Sequence, residues 1–218
     1  MAILKFQNVY YTHDDKAIID DLSIEIEKGD FINIVGPSGS GKSTFLKLCC
    51  HLISPTNGKI LFKDKNVFDY NPVELRKDIS YSFQTPYLFG DKVKENLVFP
   101  YEIRSKNIDL NKINKLLSLF KLSEDFINKD IKNLSGGEKQ RIALIRNMLF
   151  KPEILLLDEI TSALDAENTL IVEEVIESLN DEGVTVLWVT HNLEQSRRQG
   201  NKVLTLENGK IRSLEVLR

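Results

Sequence analysis

The chain has 218 residues, 42% hydrophobic and 28% charged, with 11 glycines and a formal net charge of −3. That length suits one large domain with its own core, and the weakly acidic balance removes any broad electrostatic reason to bind nucleic acid; Lys63-Asp64-Lys65 and Arg197-Arg198 read as solvated surface. The longest apolar runs, Ile154–Leu157 and Val184–Val189, fall far short of the roughly 20 residues that span a bilayer, and Met1–Phe6 lacks the features of a signal peptide. The chain is therefore expected to be soluble, with any membrane link made through a partner.

In chain order, Leu4–Tyr10, Ala17–Ile26 and Phe31–Val35 read as strands. Gly36-Pro37-Ser38-Gly39-Ser40-Gly41-Lys42-Ser43 follows the last of these directly. It fits G-x-x-x-x-G-K-[ST] and opens a helix predicted from about Lys42 to His51. Glycines let the backbone wrap a phosphate so that N–H groups and the helix N-terminus point at it. Lys42 adds charge against the β- and γ-phosphates, the Ser43 hydroxyl suits Mg²⁺, and Thr44 either caps the helix or touches the α-phosphate. Strand, loop and helix in this order predict nucleotide binding. Cys49 and Cys50 fall inside the apolar helix, where neighbours point apart, and read as reduced core thiols.

A turn at Pro55, Asn57 and Gly58 precedes a strand, Lys59–Phe62. From about Phe89 to Phe150 the pattern becomes helical, with Leu110, Ile113, Leu117 and Phe120 on one face. After Ser135-Gly136-Gly137 a second helix places Ile142, Ile145 and Leu149 together. The final third returns to strand–helix alternation. Its runs Ile154–Leu157 and Val184–Val189 are nearly all apolar, as in parallel strands covered on both faces. The helix between them, Glu167–Asn180, is predicted to turn Ile171, Val175 and Leu179 inward.

The Ile154–Leu157 strand ends in Asp158-Glu159. A buried strand delivers its C-terminal residues to the sheet edge that carries the phosphate loop. Asp158 there suits the Mg²⁺ shell, and Glu159 suits orienting or deprotonating the attacking water. The Val184–Val189 strand leads similarly into Thr190-His191, 32 residues after Glu159. That places His191 to bond the γ-phosphate and the water. Leu134-Ser135-Gly136-Gly137-Glu138 opens a helix and forms a second anion-binding N-terminus. One phosphate loop needs no second such site on its own nucleotide, so this tip suits the nucleotide of a partner copy.

Taken together these strings resemble the ATP-binding subunits of ABC transporters over essentially the whole chain. The resemblance aligns Walker A with Gly36–Thr44, the Q-loop glutamine with Gln84 and the signature with Leu134–Glu138. It aligns Walker B with Ile154–Glu159, the D-loop with Ser162-Ala163-Leu164-Asp165 and the switch histidine with His191. It implies an α/β P-loop core, a mostly parallel sheet with an N-terminal antiparallel β-subdomain and an inserted helical subdomain. The single nucleotide-binding domain, 1–218, then divides into an ATP-binding core, 1–86 and 151–218, and a helical signature subdomain, 87–150. It also implies ATP hydrolysis with Mg²⁺ held near Ser43, Gln84 and Asp158. ATP would close a head-to-tail homodimer, and an integral membrane permease subunit would hold it at the cytoplasmic face of the membrane. At the position where the family stacks an aromatic ring on adenine this chain has His13, with Tyr11 two residues earlier, and Ile160 follows Glu159 where Pro or a small residue is usual. Ile127–Asn133 lacks the string found in fused multidrug exporters, which argues for a standalone subunit. No long coiled-coil insertion separates the halves, against the DNA-maintenance relatives. Within the family, Ser82–Asp91, Asn96–Tyr101, His51–Thr56, Leu144–Asn147, Asp158–Asp165 and Leu187–His191 resemble the ATPases of bacterial iron exporters and of a related plant pair associated with aluminium tolerance.

Overall fold

A computed structural model describes residues 1–217, with Leu193 and Glu194 described through the backbone only. The order is β1 (Ala2–His13), β2 (Lys16–Glu27), β3 (Phe31–Val35), α1 (Lys42–Cys49), β4 (Asn57–Phe62), β5 (Lys65–Asn66), α2 (Pro72–Asp78) and β6 (Ile79–Ser82). It continues with α3 (Val93–Glu102), α4 (Leu110–Leu119), α5 (Gly136–Met148), β7 (Ile154–Asp158), α6 (Ala166–Asp181), β8 (Thr185–Val189), α7 (Leu193–Arg198), β9 (Lys202–Glu207) and β10 (Lys210–Val216).

Two sheets form. An antiparallel sheet runs β2-β1-β4-β5, and a larger one runs β10-β9-β3-β8-β7-β6. In the larger sheet β9, β3, β8, β7 and β6 are parallel, and β10 returns antiparallel to β9. Strands β3, β7 and β8 are buried at every position, because the sheet separates two cores. Ile32, Ile34, Leu156, Leu187 and Val189 face α1 and the antiparallel sheet. Phe31, Leu155, Leu157, Val186 and Trp188 face the helices. The period-2 alternation of a strand here sends apolar side chains both ways. In β1 the alternation slips: Leu4 and Phe6 are buried, and then Val9. The extra residue is absorbed at Asn8 (φ 47°), where the pairing register with β2 shifts. An Asn tolerates the left-handed region.

Several expectations change in detail. Helix α1 stops at Cys49, with Cys50 as its C-cap and His51 left-handed (φ 52°), so the predicted last turn is absent. Both thiols are buried and unpaired, and burial drives them up, Cys50 to about 12. In α4, Ile113 and Leu117 are buried, but Leu110 in the first turn is 55% exposed. In α6 the buried stripe is Val172, Val175 and Ile176, with Ile171 and Leu179 half-buried at its edges. A spacing of four drifts about 40° per step, so a set chosen at i, i+4 and i+8 leaves the centre of the apolar face. The short elements α2 and β6 and the β9–β10 hairpin are additions to the sequence reading.

Candidate functional site

Strand β3 runs into a loop whose glycines are dictated by close backbone approach. A Cβ on Gly36 (φ 146°) would lie 2.0 Å from the Leu206 carbonyl oxygen of β9. One on Gly41 (φ 99°), the N-cap of α1, would lie 2.9 Å from both Ile18 O and Ile19 Cδ1. The loop thus wraps between β9 and the β1–β2 hairpin. A cleft of about 360 Å³ opens beside it, lined by Lys16, Ser38, Gly39, Lys42, Ser43 and Thr44, with Glu159 and His191 at its far wall. Lys42 is buried, and its Nζ donates to Gly36 O and Pro37 O, both at 2.9 Å. Burial lowers its pKa, and the nearby Glu159 and Asp158 carboxylates oppose that shift. Ser40 turns its hydroxyl inside the loop, buried and, among the described residues, without a partner.

The two carboxylates at the end of β7 are held differently. Asp158 Oδ1 accepts from Ser43 Oγ at 2.9 Å, and Oδ2 accepts from the Tyr81 hydroxyl at 2.6 Å. Burial and the bond to Asp158 push the Tyr81 hydroxyl far up, so it remains a donor. Glu159 sits at φ 50°, a left-handed conformation rare for its side chain, and its N–H donates to Val189 O at 3.1 Å. Gln84 Nε2 donates to Glu159 Oε2 at 2.8 Å, and His191 Nε2 lies 2.7 Å from Oε1. A carboxylate can only accept, so the His191 Nε2 carries the proton. The structure therefore gathers Lys42, Ser43, Gln84, Asp158, Glu159 and His191 into one place. A hydroxyl and a carboxylate 2.9 Å apart form a hard-oxygen set that could take part in a small divalent cation's shell beside phosphates. Among the described residues no cluster of three or more His, Cys, Asp or Glu side chains could hold a metal alone.

The predicted signature lies elsewhere. None of Leu134–Glu138 lines the cleft of its own chain. Ser135 caps α5, its Oγ accepting from Glu138 N at 3.2 Å and its N–H donating to Glu138 Oε2 at 2.7 Å. Burial raises the Glu138 carboxyl, but the Ser135 N–H and the Lys129 ammonium outweigh it and hold it below its ordinary value. Ser135 and Gly136 are exposed. Beside them run Ser162, Ala163, Leu164 and Asp165. A Cβ on Gly137 would stand 3.3 Å from Leu164 Cδ2, and Asp165 caps α6 by accepting from Asn168 N at 2.8 Å. Arg141 reaches across to Asn168. Of the two adenine candidates, Tyr11 is half-buried against the core and His13 is exposed. Their rings lie near-parallel, 6.5 Å apart. Neither lines the cleft, although His13 pairs with Lys16, which does.

Residues that the motifs did not indicate hold this arrangement in place. Thr190 Oγ1 donates to Gln195 Oε1 at 2.6 Å and accepts from Asn192 N at 3.1 Å, bracketing His191. Gln195 Nε2 donates to the buried Glu173 at 2.8 Å, and Arg198 donates to the other Glu173 oxygen at 2.6 Å. Asn147 Nδ2 donates to Tyr81 O at 3.2 Å and to Ser82 Oγ at 2.7 Å, fixing β6 just before Gln84. Polar side chains at these positions were the only signal in the sequence. Their partners lie up to 66 positions away.

Comparison with known proteins agrees with this fold. The family profile described as "ABC transporter" matches residues 19–162. The probable iron export ATP-binding protein FetA of Escherichia coli K12 is 45% identical over 206 residues, covering 94% of this chain and 91% of that protein. The phosphate import ATP-binding protein PstB of Saccharolobus solfataricus is 33% identical over 96% of this chain and 86% of its own length. The ATP-binding cassette MJ0796, solved as a dimer in a post-hydrolysis state bound to ADP and Pi, superposes with a TM-score of 0.90. It is 30% identical, and 99% of each chain is covered. The chain belongs to the ABC transporter family, as an ATP-binding and ATP-hydrolysing subunit.

Proposed function

We propose that this chain is the ATPase subunit of a metal exporter, most specifically of iron, and that two copies close head to tail around two Mg-ATP molecules. The observation that carries the mechanism is the placement of Glu159, which stands between Gln84 and His191 in the lining of a phosphate-loop cleft that its own signature helix does not reach. In this reading Gly36–Thr44 cradle the phosphates through backbone N–H groups. Lys42 leaves its carbonyl partners to meet the β- and γ-oxygens. The Ser135-Gly136-Gly137 tip of the second copy supplies donors from the opposite side. Glu159 accepts the proton of the water that attacks the γ-phosphorus as that atom's bond to the bridging oxygen breaks and ADP leaves, and His191 orients the water and the γ-phosphate. Ser43, Asp158 and Gln84 would hold the Mg²⁺ shell, which when bound neutralises charge on the β- and γ-oxygens. His13, with Tyr11 packed on the core behind it, is assigned the adenine face.

The division into a core, 1–86 and 151–218, and a helical piece, 87–150, belongs to the same reading, with Gln84 at the junction. Asn147 crosses this junction by donating to Tyr81 O at 3.2 Å and to Ser82 Oγ at 2.7 Å. Next to it a hollow of about 250 Å³, lined by Val73, Arg76, Phe99, Ile103 and Arg104, carries exposed apolar side chains suited to a membrane permease subunit. Among the described residues no helix is long and apolar enough to cross a membrane, so the permease is assigned the anchoring of this chain at the cytoplasmic face. The assignment of cargo and direction rests on the similarity to the E. coli protein.

Two measurements test this reading. Ser38→Cys and Ser135→Cys, placed in separate copies, should cross-link between copies through a short bis-maleimide only when ATP is present; Cys49 and Cys50 are buried and poorly ionised, so they stay silent. Links that ignore ATP would sink the shared-nucleotide arrangement. The chain co-purified with its permease and placed in vesicles should move ferrous iron at the expense of ATP, and ATP turnover without iron movement would reject the cargo.

A further inference from the structure

Tyr81 belongs to none of the motifs, yet it touches the most buried acid of the site. Its hydroxyl donates to Asp158 Oδ2 at 2.6 Å while Ser43 donates to Oδ1 at 2.9 Å. Asp158 is 6% exposed, so each carboxylate oxygen has one donor, and the two donors come from different elements. A carboxylate has about four acceptor positions. Filling one on each oxygen fixes the rotation of the group and aims the remaining lone pairs in one direction.

Tyr81 is itself immobilised. Its carbonyl accepts from Asn147, its neighbour Ser82 accepts from the same amide, and its ring meets Phe83 edge-on at 4.7 Å. In the parallel β6–β7 register Tyr81 pairs with Leu156, two residues before Asp158. A long side chain that leans along the strand spans that offset, and a shorter one would not. The same strand end leads to Gln84, which donates to Glu159. One short strand and the loop that leaves it therefore supply a donor to each acid.

We propose that Tyr81 is a positioning residue for the divalent cation of the bound nucleotide, its hydroxyl holding the Asp158 carboxylate in the orientation that the cation's shell requires. This rests on the Mg-ATP reading of the site. Without the hydroxyl, Asp158 keeps only the Ser43 bond and turns freely about its last torsion, so that cation binding weakens while the phosphate cradle is untouched.

The test is Tyr81→Phe, which removes one oxygen atom, in the full-length chain. Mn²⁺ is titrated by electron paramagnetic resonance in the presence of a non-hydrolysable ATP analogue. Nucleotide affinity in EDTA is measured alongside, with the thermal midpoint as a control for folding. Loss of a partner to a metal-shell group typically costs about 10–100-fold in metal affinity, and a drop of that order is expected with metal-free nucleotide affinity unchanged. Unchanged Mn²⁺ affinity in the folded variant overturns the assignment, as does a parallel fall of both affinities, which would mark a merely structural side chain. Tyr81→Met also lacks the donor and is read the same way should the phenylalanine variant fold poorly. Wild-type protein whose nucleotide binding ignores Mn²⁺ would reject the Mg-ATP reading itself, and this assignment with it.

Discussion

Glu159→Gln separates the chemical step from everything that precedes it. The substitution keeps the length and shape of the side chain and removes its charge and its capacity to take a proton. The Glu159 oxygens accept from Gln84 at 2.8 Å and from His191 at 2.7 Å. In the variant the amide oxygen can still accept from His191 Nε2–H, and the amide nitrogen then faces Gln84. Rotation of the Gln84 amide presents its oxygen instead, so both contacts survive with reversed polarity on one side. The left-handed backbone at residue 159 (φ 50°) costs a glutamine no more than a glutamate. Folding, ATP binding and ATP-driven dimerisation should therefore persist. Loss of a positioned general base typically costs about 10²–10⁴ in rate, or roughly 3–5 kcal/mol on the barrier at 1.36 kcal/mol per decade. Phosphate release should fall by that amount, while light scattering in ATP shows a long-lived species of twice the monomer mass. Turnover within about tenfold of wild type, less than any such base supplies, would refute the role assigned to Glu159.

Three further outcomes follow from particular contacts. Gly36→Ala sets a methyl 2.0 Å from a backbone oxygen of β9; the strand must shift, and we expect a loss of about 3 kcal/mol together with most nucleotide affinity, read by thermal unfolding and by titration of a fluorescent ATP analogue. Gln195→Leu leaves Thr190 without its acceptor and the buried Glu173 with one donor fewer. It should cost about 2 kcal/mol, or roughly 4–8 °C in midpoint for a chain of this size, with kcat falling more than ATP affinity because His191 loses its support. Glu138→Ala removes a carboxyl held below its ordinary value in the folded state. Its contribution, on the order of 1 kcal/mol, is complete above the unfolded pKa of about 4.3 and fades as pH falls through the folded value. The stability gap between wild type and variant should be open at pH 7 and narrow as the pH falls below about 4.3, and a gap that does not narrow would count against the carboxylate's role.

Much of this was legible before any coordinates, and what was legible is local in the chain. The loop Gly36–Ser43 closes on itself where Lys42 reaches back five and six residues to Pro37 and Gly36, and its residue spacing marks it in sequence even though Gly36 and Gly41 answer to Leu206 and to Ile18 and Ile19. The Ser135–Glu138 capping box spans one helical turn. The nearly all-apolar runs of β7 and β8 announced strands covered on both sides, because only such strands can dispense with polar alternation. These features were sufficient for the α/β class and for the assignment to ABC ATPases.

Other features waited on tertiary structure, and each depends on which strand lies beside which. Tyr81 meets Asp158 because β6 and β7 pair in parallel with Tyr81 opposite Leu156. No periodicity in either strand reveals that register. Gln84 and His191 converge on Glu159 from 75 and 32 positions away. The Glu173–Gln195–Thr190 chain links a helix interior to a strand end and looks, in sequence, like ordinary polar decoration. The inward face of α6 centres on Val172, Val175 and Ile176, about one residue from the set Ile171, Val175 and Leu179, because a spacing of four drifts away from the middle of the apolar face. By itself the sequence determined the pieces with short-range geometry: the phosphate loop, the capped helix tip and the buried strands. The arrangement of the carboxylates and of the side chains that aim them was decided by packing, because hydrogen bonds between distant residues exist only once the sheet order and register have brought them within about 3 Å.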